Sequence, residues 1–303
     1  MVALKGAALH AIGLYAIGER PMADIDLLVR PADAERMARL LESLGFYQTS
    51  ASWKERVFTP IAKLAVAGLG EHSNNYVKIE LHERICERLP WRITDVTECV
   101  FPTQARPGLN AYPSTASLMI HLLLHAAGAM AFQSLRLLHL HDLAQLSSRM
   151  TEADWDQMFA NRRHGAGLWW AFPPLNLASR YFSSHVPNHV LAALADECPL
   201  VLRAVSGRRT LYEVSFSYPC VDAFPGLEWA QSIRELLEYV ANRVRPSAEH
   251  IALRERAVKS EAWASHSQWV RLSQGRRIAR WVMSRPSRPV TVHAVNAALR
   301  YAQ

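Results

Sequence analysis

Four cysteines in 303 residues, with no two close enough for a CxxC pair, exclude a disulfide scaffold and a cysteine-built metal knot. Cys86, Cys99, Cys198 and Cys220 read as the reduced thiols of a cytoplasmic protein. No internal repeat is present, and no low-complexity run beyond a short Ser284–Pro289 echo, so a solenoid or a fibrous chain is excluded. Long apolar runs are also missing. The stretch from Ala7 to Gly18 is broken by His10, follows a single Lys5 and leads into no small-residue cleavage site, so it is not read as a secretory leader. The stretch from Thr115 to Phe132 carries His121 and His125 in its middle, which predicts a buried helix and no membrane partner. Acidic residues are scarce at one end only. From Ile251 to Gln303 there are ten Arg and Lys but two Glu, whereas the first 250 residues are close to neutral within an overall charge of +7.

The residues that are present follow two periods. Ala3-Leu4-Lys5-Gly6 reads as a short strand, and Ala7 to Tyr15 as an alanine-rich helix. From Asp24 to Val29, Ile25, Leu27 and Val29 alternate with Asp24 and Asp26, the signature of a strand with one apolar face. Pro31 opens a helix whose Ala34, Met37, Ala38, Leu41 and Leu44 recur at helical spacing, and Gly45 closes it. From Tyr76 to His82 a second strand sets Val77, Ile79 and Leu81 against Lys78, Glu80 and His82. A hairpin is expected between Trp53 and Leu69. Pro102, Pro107, Gly108 and Pro113 mark a linker, after which the pattern is helical, with Ser114 or Thr115 as an N-cap and an amphipathic helix through Trp229, Ile233, Leu236, Leu237, Val240 and Val244. The expected architecture is α+β: a mixed-sheet domain over residues 1–105, then an all-helical domain over 106–303 with a basic C-terminal segment.

Two carboxylates on one face of an otherwise apolar strand repel each other unless a cation lies between them. Asp24 and Asp26 have that placement, and Glu80 on the polar face of the later strand would make a third carboxylate. Oxygen ligands on rigid strands suit Mg²⁺, and two ions about 3.5–4 Å apart could activate a hydroxyl and stabilise departing pyrophosphate.

Leu4-Lys5-Gly6, Arg20, Asp24-Ile-Asp-Leu-Leu-Val29 and Ile79-Glu80-Leu81-His82 together resemble the uncharacterised nucleotidyltransferase family, within the DNA polymerase β-like and minimal nucleotidyltransferases. The resemblance covers roughly residues 1–145. It implies a nucleotidyltransferase-like sheet domain, two Mg²⁺ ions, ATP or another NTP as substrate and a hydroxyl acceptor, either a peptide or a small molecule. Carried onto this chain, it implies Asp24, Asp26 and Glu80 as metal ligands and catalytic groups, with Lys5, Gly6, Arg20, Lys78 and His82 around the nucleotide.

The family's usual Gly-Ser pair is Gly6-Ala7 here, which removes a phosphate-binding hydroxyl. That motivates an alternative reading as a weakly catalytic member that binds nucleotide or a partner. A third reading, a His-Asp metal phosphohydrolase, rests on His141-Asp142 alone. Arg136 and Asp142 are expected on roughly opposed faces of one helix, and His121 and His125 are expected as packed core histidines rather than a zinc pair. In the basic tail, Trp263, Trp269 and Trp281 read as core residues, with Arg276, Arg277 and Arg280 on solvated faces. Nucleic acid is not the expected partner.

Overall fold

The computed structural model describes residues 1–61, 76–160, 167–182, 186–215, 224–248, 251 and 272–283. The chain begins with β1 (Val2–Ala3), α1 (Lys5–Ala11), β2 (Asp24–Leu28), α2 (Pro31–Ser43), β3 (Phe46–Ala51), β4 (Glu55–Pro60) and β5 (Lys78–His82). These strands form one mixed sheet in the order β1-β2-β5-β4-β3. The β2–β5 pair is parallel and places Asp26 beside Glu80, and Leu28 beside His82. β1, β3 and β4 add antiparallel pairings.

The sheet has an apolar face and a charged one. Leu27, Val29, Phe58, Ile79 and Leu81 pack under Ala34, Ala38 and Leu41 of α2. Pro31 takes the first turn of α2, where its missing N–H has no intrahelical partner to lose, and Gly45 follows the helix at φ 86°, a conformation that costs a Cβ-bearing residue about 1 kcal/mol. Both expectations for this helix hold, although Leu44 is exposed.

Two expectations at the sheet are corrected. The first strand is only Val2–Ala3, and α1 starts at Lys5 and ends at Ala11. Leu4 N–H makes the last bond to β2, onto the Asp26 carbonyl at 2.9 Å, and Lys5 then turns to φ 46°. The hairpin exists, but as β3–β4 over Phe46–Pro60; its extension toward Leu69 falls outside the described residues. A second hairpin, β6 (Cys86–Leu89) with β7 (Arg92–Asp95), was not expected from the pattern.

After α3 (Thr97–Val100) and the proline-marked segment, the described elements are helical. Ser114 caps α4 (Thr115–Ala131), accepting the Ser117 N–H. Then come α5 (Leu137–Ser147), α6 (Glu152–Ala160), α7 (Phe172–Tyr181), α8 (Asn188–Glu197), α9 (Leu200–Ser206), α10 (Leu211–Val214), α11 (Ile233–Val244) and α12 (Gln274–Met283). One large core runs from Val2, Leu4 and Leu9 through Ile85 and Leu89 into α4, α5 and α7. Fourteen residues of α4 are buried, so α4 is the axis on which the sheet and the later helices meet. Among the described residues, no helix is long and apolar enough to cross a membrane.

The amphipathic expectation for α11 is corrected. The helix starts at Ile233, with Trp229 on a separate 3₁₀ turn, and it buries Glu235 and Tyr239 while Ile233, Leu237 and Val244 remain exposed. In the basic segment, Arg276 is exposed but Arg277 is buried, against the expected solvated face. Trp263 and Trp269 lie outside the described residues, as do the side chains of Arg280 and Trp281.

Candidate active site

On the charged face of the sheet, Asp24, Asp26 and Glu80 open into a cleft of about 270 Å³. Lys5, Gly6 and Arg20 form one side, Lys54 and Glu55 of the β3–β4 hairpin another, and Leu122, His125, Arg136, His139 and Asp142 of the helical part close over it. The cleft therefore needs both the sheet and the helices that follow the prolines.

Asp26 is the most tightly held carboxylate. Lys5 Nζ donates to its Oδ1 at 2.6 Å, and His82 Nε2 lies 2.9 Å from the same oxygen. Burial would raise the Asp26 pKa, but the Lys5 charge and the His82 hydrogen bond overcome it and hold the carboxyl well below the usual range. The same pairing keeps Lys5 charged: burial disfavours its ammonium, and Asp26, with Glu80, raises its pKa above the ordinary value. The left-handed φ of Lys5 costs on the order of 1 kcal/mol for a residue with a Cβ, and the ion pair offsets it.

Asp24 and Glu80 differ from Asp26. Among the described residues, neither has a Lys or Arg nitrogen within 4 Å; the nearest cationic candidate for Glu80 is His82 Nε2 at 3.9 Å. Burial raises Asp24, and the Asp26 charge adds to it. Glu80 is pushed up to about 8, first by burial, then by Asp26, with Glu55 and Asp24 adding and Lys5 opposing. Half-buried carboxylates that repel one another and lack a fixed counter-cation make a donor set that a divalent cation would satisfy. Ligand atoms of Asp26, Glu80 and His82 all lie within 4.8 Å of one another.

Arg20 is fixed from across the molecule. Its Nε and Nη2 donate to Asp142 Oδ1 and Oδ2 at 2.9 and 2.8 Å, a bidentate pair of two largely buried side chains. The Tyr15 hydroxyl donates to Asp142 Oδ1 at 2.9 Å and lies 3.0 Å from His141 Nδ1; burial and the Asp142 charge raise its phenol pKa. Gly6 makes room for this arrangement. A Cβ there would lie 2.1 Å from Arg20 Nη1, so any other residue would displace the guanidinium.

Of the candidates, Lys5, Gly6, Arg20, Asp24, Asp26 and Glu80 line one cleft. His82 sits just behind it, almost fully buried on Asp26, with Nδ1 lacking a hydrogen-bond partner. Lys78 is brought beside Asp24 by the strand register but is exposed and does not line the cleft. Arg136 and Asp142 are not opposed as expected. Arg136 precedes the first turn of α5 as its N-cap, so both reach the cleft. His121 is buried, with Nδ1 at 2.6 Å from the Tyr112 hydroxyl, and belongs to the core as expected, whereas His125 lines the cleft. Asp142 is committed to Arg20 and Tyr15 and joins no cluster of metal-ligating groups among the described residues.

Tyr15, Glu55 and His139 join the site without being marked by any local sequence pattern. The Arg136 N–H donates to His139 Nδ1 at 3.2 Å, which puts the ring proton on Nε2, a buried atom with no hydrogen-bond partner. Burial and the charge of Arg136 lower the His139 pKa to about 3, so the ring is neutral. Glu55 could have been found only by pairing β4 with β5, which sets it opposite His82.

Residues 1–172 match the family described as "Uncharacterised nucleotidyltransferase". No curated protein and no solved structure matches the chain.

Proposed function

Because the chain belongs to the uncharacterised nucleotidyltransferase family, we propose that it moves a nucleotidyl group from an NTP, ATP or a related triphosphate, onto a hydroxyl acceptor in a Mg²⁺-dependent reaction. The observation that carries this reading is the convergence of Asp24, Asp26 and Glu80 on one cleft whose walls also bear Lys5, Arg20 and Arg136. Asp26 and Glu80, whose ligand atoms lie together, and Asp24 on the same cleft wall supply oxygen donors of the kind Mg²⁺ takes, and they are the residues that would hold it. When bound, the metal would supply charge neutralisation at the phosphates and lower the pKa of a coordinated hydroxyl.

The protein's own groups account for the rest. Asp142 uses Nε and Nη2 of Arg20, while Nη1, beside Gly6 and donating to the Pro21 carbonyl at 3.5 Å, keeps a second N–H for a phosphate oxygen. Arg136 supplies a second cation near Asp24, and His139 Nε2–H a neutral donor. The acceptor oxygen attacks the α-phosphorus, the bond from that phosphorus to the bridging oxygen breaks, and pyrophosphate leaves. Glu80, whose carboxylate opens into the cleft, takes the hydroxyl proton.

The test is incubation of the full chain with ATP labelled at the α-phosphate and Mg²⁺ across a panel of hydroxyl acceptors. Label transfer and pyrophosphate release that vanish in Asp26→Asn support transfer. A second reading is favoured by one observation, the Lys5 ammonium resting on Asp26 Oδ1: a member that binds nucleotide and turns it over slowly. Tight ATP binding without release on any acceptor supports that reading instead.

A further inference from the structure

The sheet face opposite the carboxylates carries a separate groove of about 840 Å³, between α2 and the segment from Phe101 to Gly108. Its floor is apolar, made by Val29, Met37, Leu40 and Phe101. Met37 and Leu40 lie beside the Ala34, Ala38 and Leu41 stripe that α2 turns to the sheet, and Leu40 remains 49% exposed. The core of this helix is thus already closed by two alanines and a leucine. Met37 packs against the same cluster, so it is Leu40, half exposed at the groove, that folding does not account for.

The rim is cationic. Arg30, Arg36, Arg39 and Arg106 line the groove, against Asp33 as the one acidic lining residue. Among the described residues, none of these four guanidiniums has a carboxylate within 4 Å, and Arg30 instead lies over the Phe101 ring at 5.1 Å. By contrast Arg56, on the neighbouring strand, is satisfied by Glu35 of the same helix and by Glu83. Four like charges around one apolar floor gain from a ligand that brings carboxylates and apolar groups together. A nucleic acid would satisfy the arginines but would find no stacking platform, because the Phe101 face is already covered.

We propose that this groove binds an acidic peptide segment, its apolar side chains filling the floor and its Asp and Glu carboxylates meeting the arginines. The occupant is a partner of that chemistry, and the inference is independent of the reaction assigned to the cleft on the other face.

The test uses the full chain and a short fluorescein-labelled peptide of Glu, Leu and Phe, followed by anisotropy at about 0.15 M salt, where only contacts within roughly 8 Å remain unscreened. Saturable binding is expected, weakened at least about tenfold in Arg36→Glu/Arg39→Glu. The charge-reversed peptide of Lys, Leu and Phe should ignore the parent protein and bind that double variant. Leu40→Ser, at a half-exposed position that cannot unfold the core, should weaken binding without changing the salt dependence, and thermal melts confirm that both variants are folded. The proposal is overturned if the parent protein shows no saturable binding, if the double variant or Leu40→Ser binds as well as the parent, or if an oligodeoxythymidine of equal charge binds more tightly than the acidic peptide.

Discussion

The two faces of β2 apply opposite rules to neighbouring residues of one strand. On the α2 side, Leu27 and Val29 join a small cluster in which every contact is apolar and the stabilisation scales with buried area. On the other side, one position away, Asp24 and Asp26 enter a cleft where burial works against the side chains and only specific partners make it tolerable. Asp26 has such partners in Lys5 and His82; Asp24 has none among the described residues. The charged face thus keeps Asp24 and Glu80 without a Lys or Arg partner among the described residues, whereas the apolar face is closed except at its arginine-rimmed edge.

The largest expected effect on this comparison comes from Asp26. Replacement by Ala leaves Lys5 buried without its partner, which should cost about 3–5 kcal/mol of stability in urea melts. Adding Lys5→Met should recover much of that loss, without restoring any pyrophosphate release. Recovery of stability without activity separates the structural and chemical roles of the pair; no recovery would mean that the ion pair is not what holds this face.

On the apolar face, Leu81→Ala should cost about 2–4 kcal/mol, because Leu81 is almost fully buried beneath α2. Label transfer measured at low temperature should be retained in the fraction that stays folded. Loss of activity out of proportion to stability would show that the two faces are coupled.

The third expectation concerns pH. His121 and His139 are buried and held neutral, with pKa values below the ordinary one. The unfolded chain binds their protons first as pH falls, so their contribution to stability is complete above about 6.5 and is lost below it, by up to about 1.4 kcal/mol per pH unit for each. For His139 the loss continues toward its folded value of about 3. Denaturant midpoints measured from pH 7 to 5 should fall, and His139→Gln should flatten the slope. His125, which burial and then the Lys5 charge hold well below the ordinary imidazole value, adds to the same loss.

The smallest of the four effects is kinetic. Asp142→Asn should free Arg20 and raise KM for the NTP about tenfold while kcat changes little, since a charge-assisted bidentate pair is worth roughly 1.5–3 kcal/mol and only part of it positions the substrate. An unchanged KM would remove Arg20 from the nucleotide site.

How much of this was legible follows from how locally it is encoded. The alternation from Asp24 to Val29, the helix after Pro31, the cap at Ser114 and the carboxylate on β5 are all properties of a few adjacent residues, and each is found as expected. The β3 strand begins ahead of the expected hairpin, because five of its six residues are exposed and no alternation marks them. β6 and β7 are four residues each, too short for a period to register. Trp229 to Val244 reads as one amphipathic helix because its spacing is right; Trp229 is buried, but on a separate turn, and within the helix the buried positions are Glu235 and Tyr239.

Local pattern alone settles which side chains share a face. A strand alternates with period two and a helix with period 3.6, so Asp24 and Asp26 had to point together, as did Ala34, Ala38 and Leu41. It could not determine what those faces meet. The parallel register that sets Glu80 against Asp26 joins segments separated by more than fifty residues, and the Asp142 carboxylate that fixes Arg20 is 122 residues away. Such pairings carry no local period. The first exists through strand hydrogen bonding, and the second because α4, with fourteen residues buried in one core, packs α5 against the rest; both are settled by long-range packing.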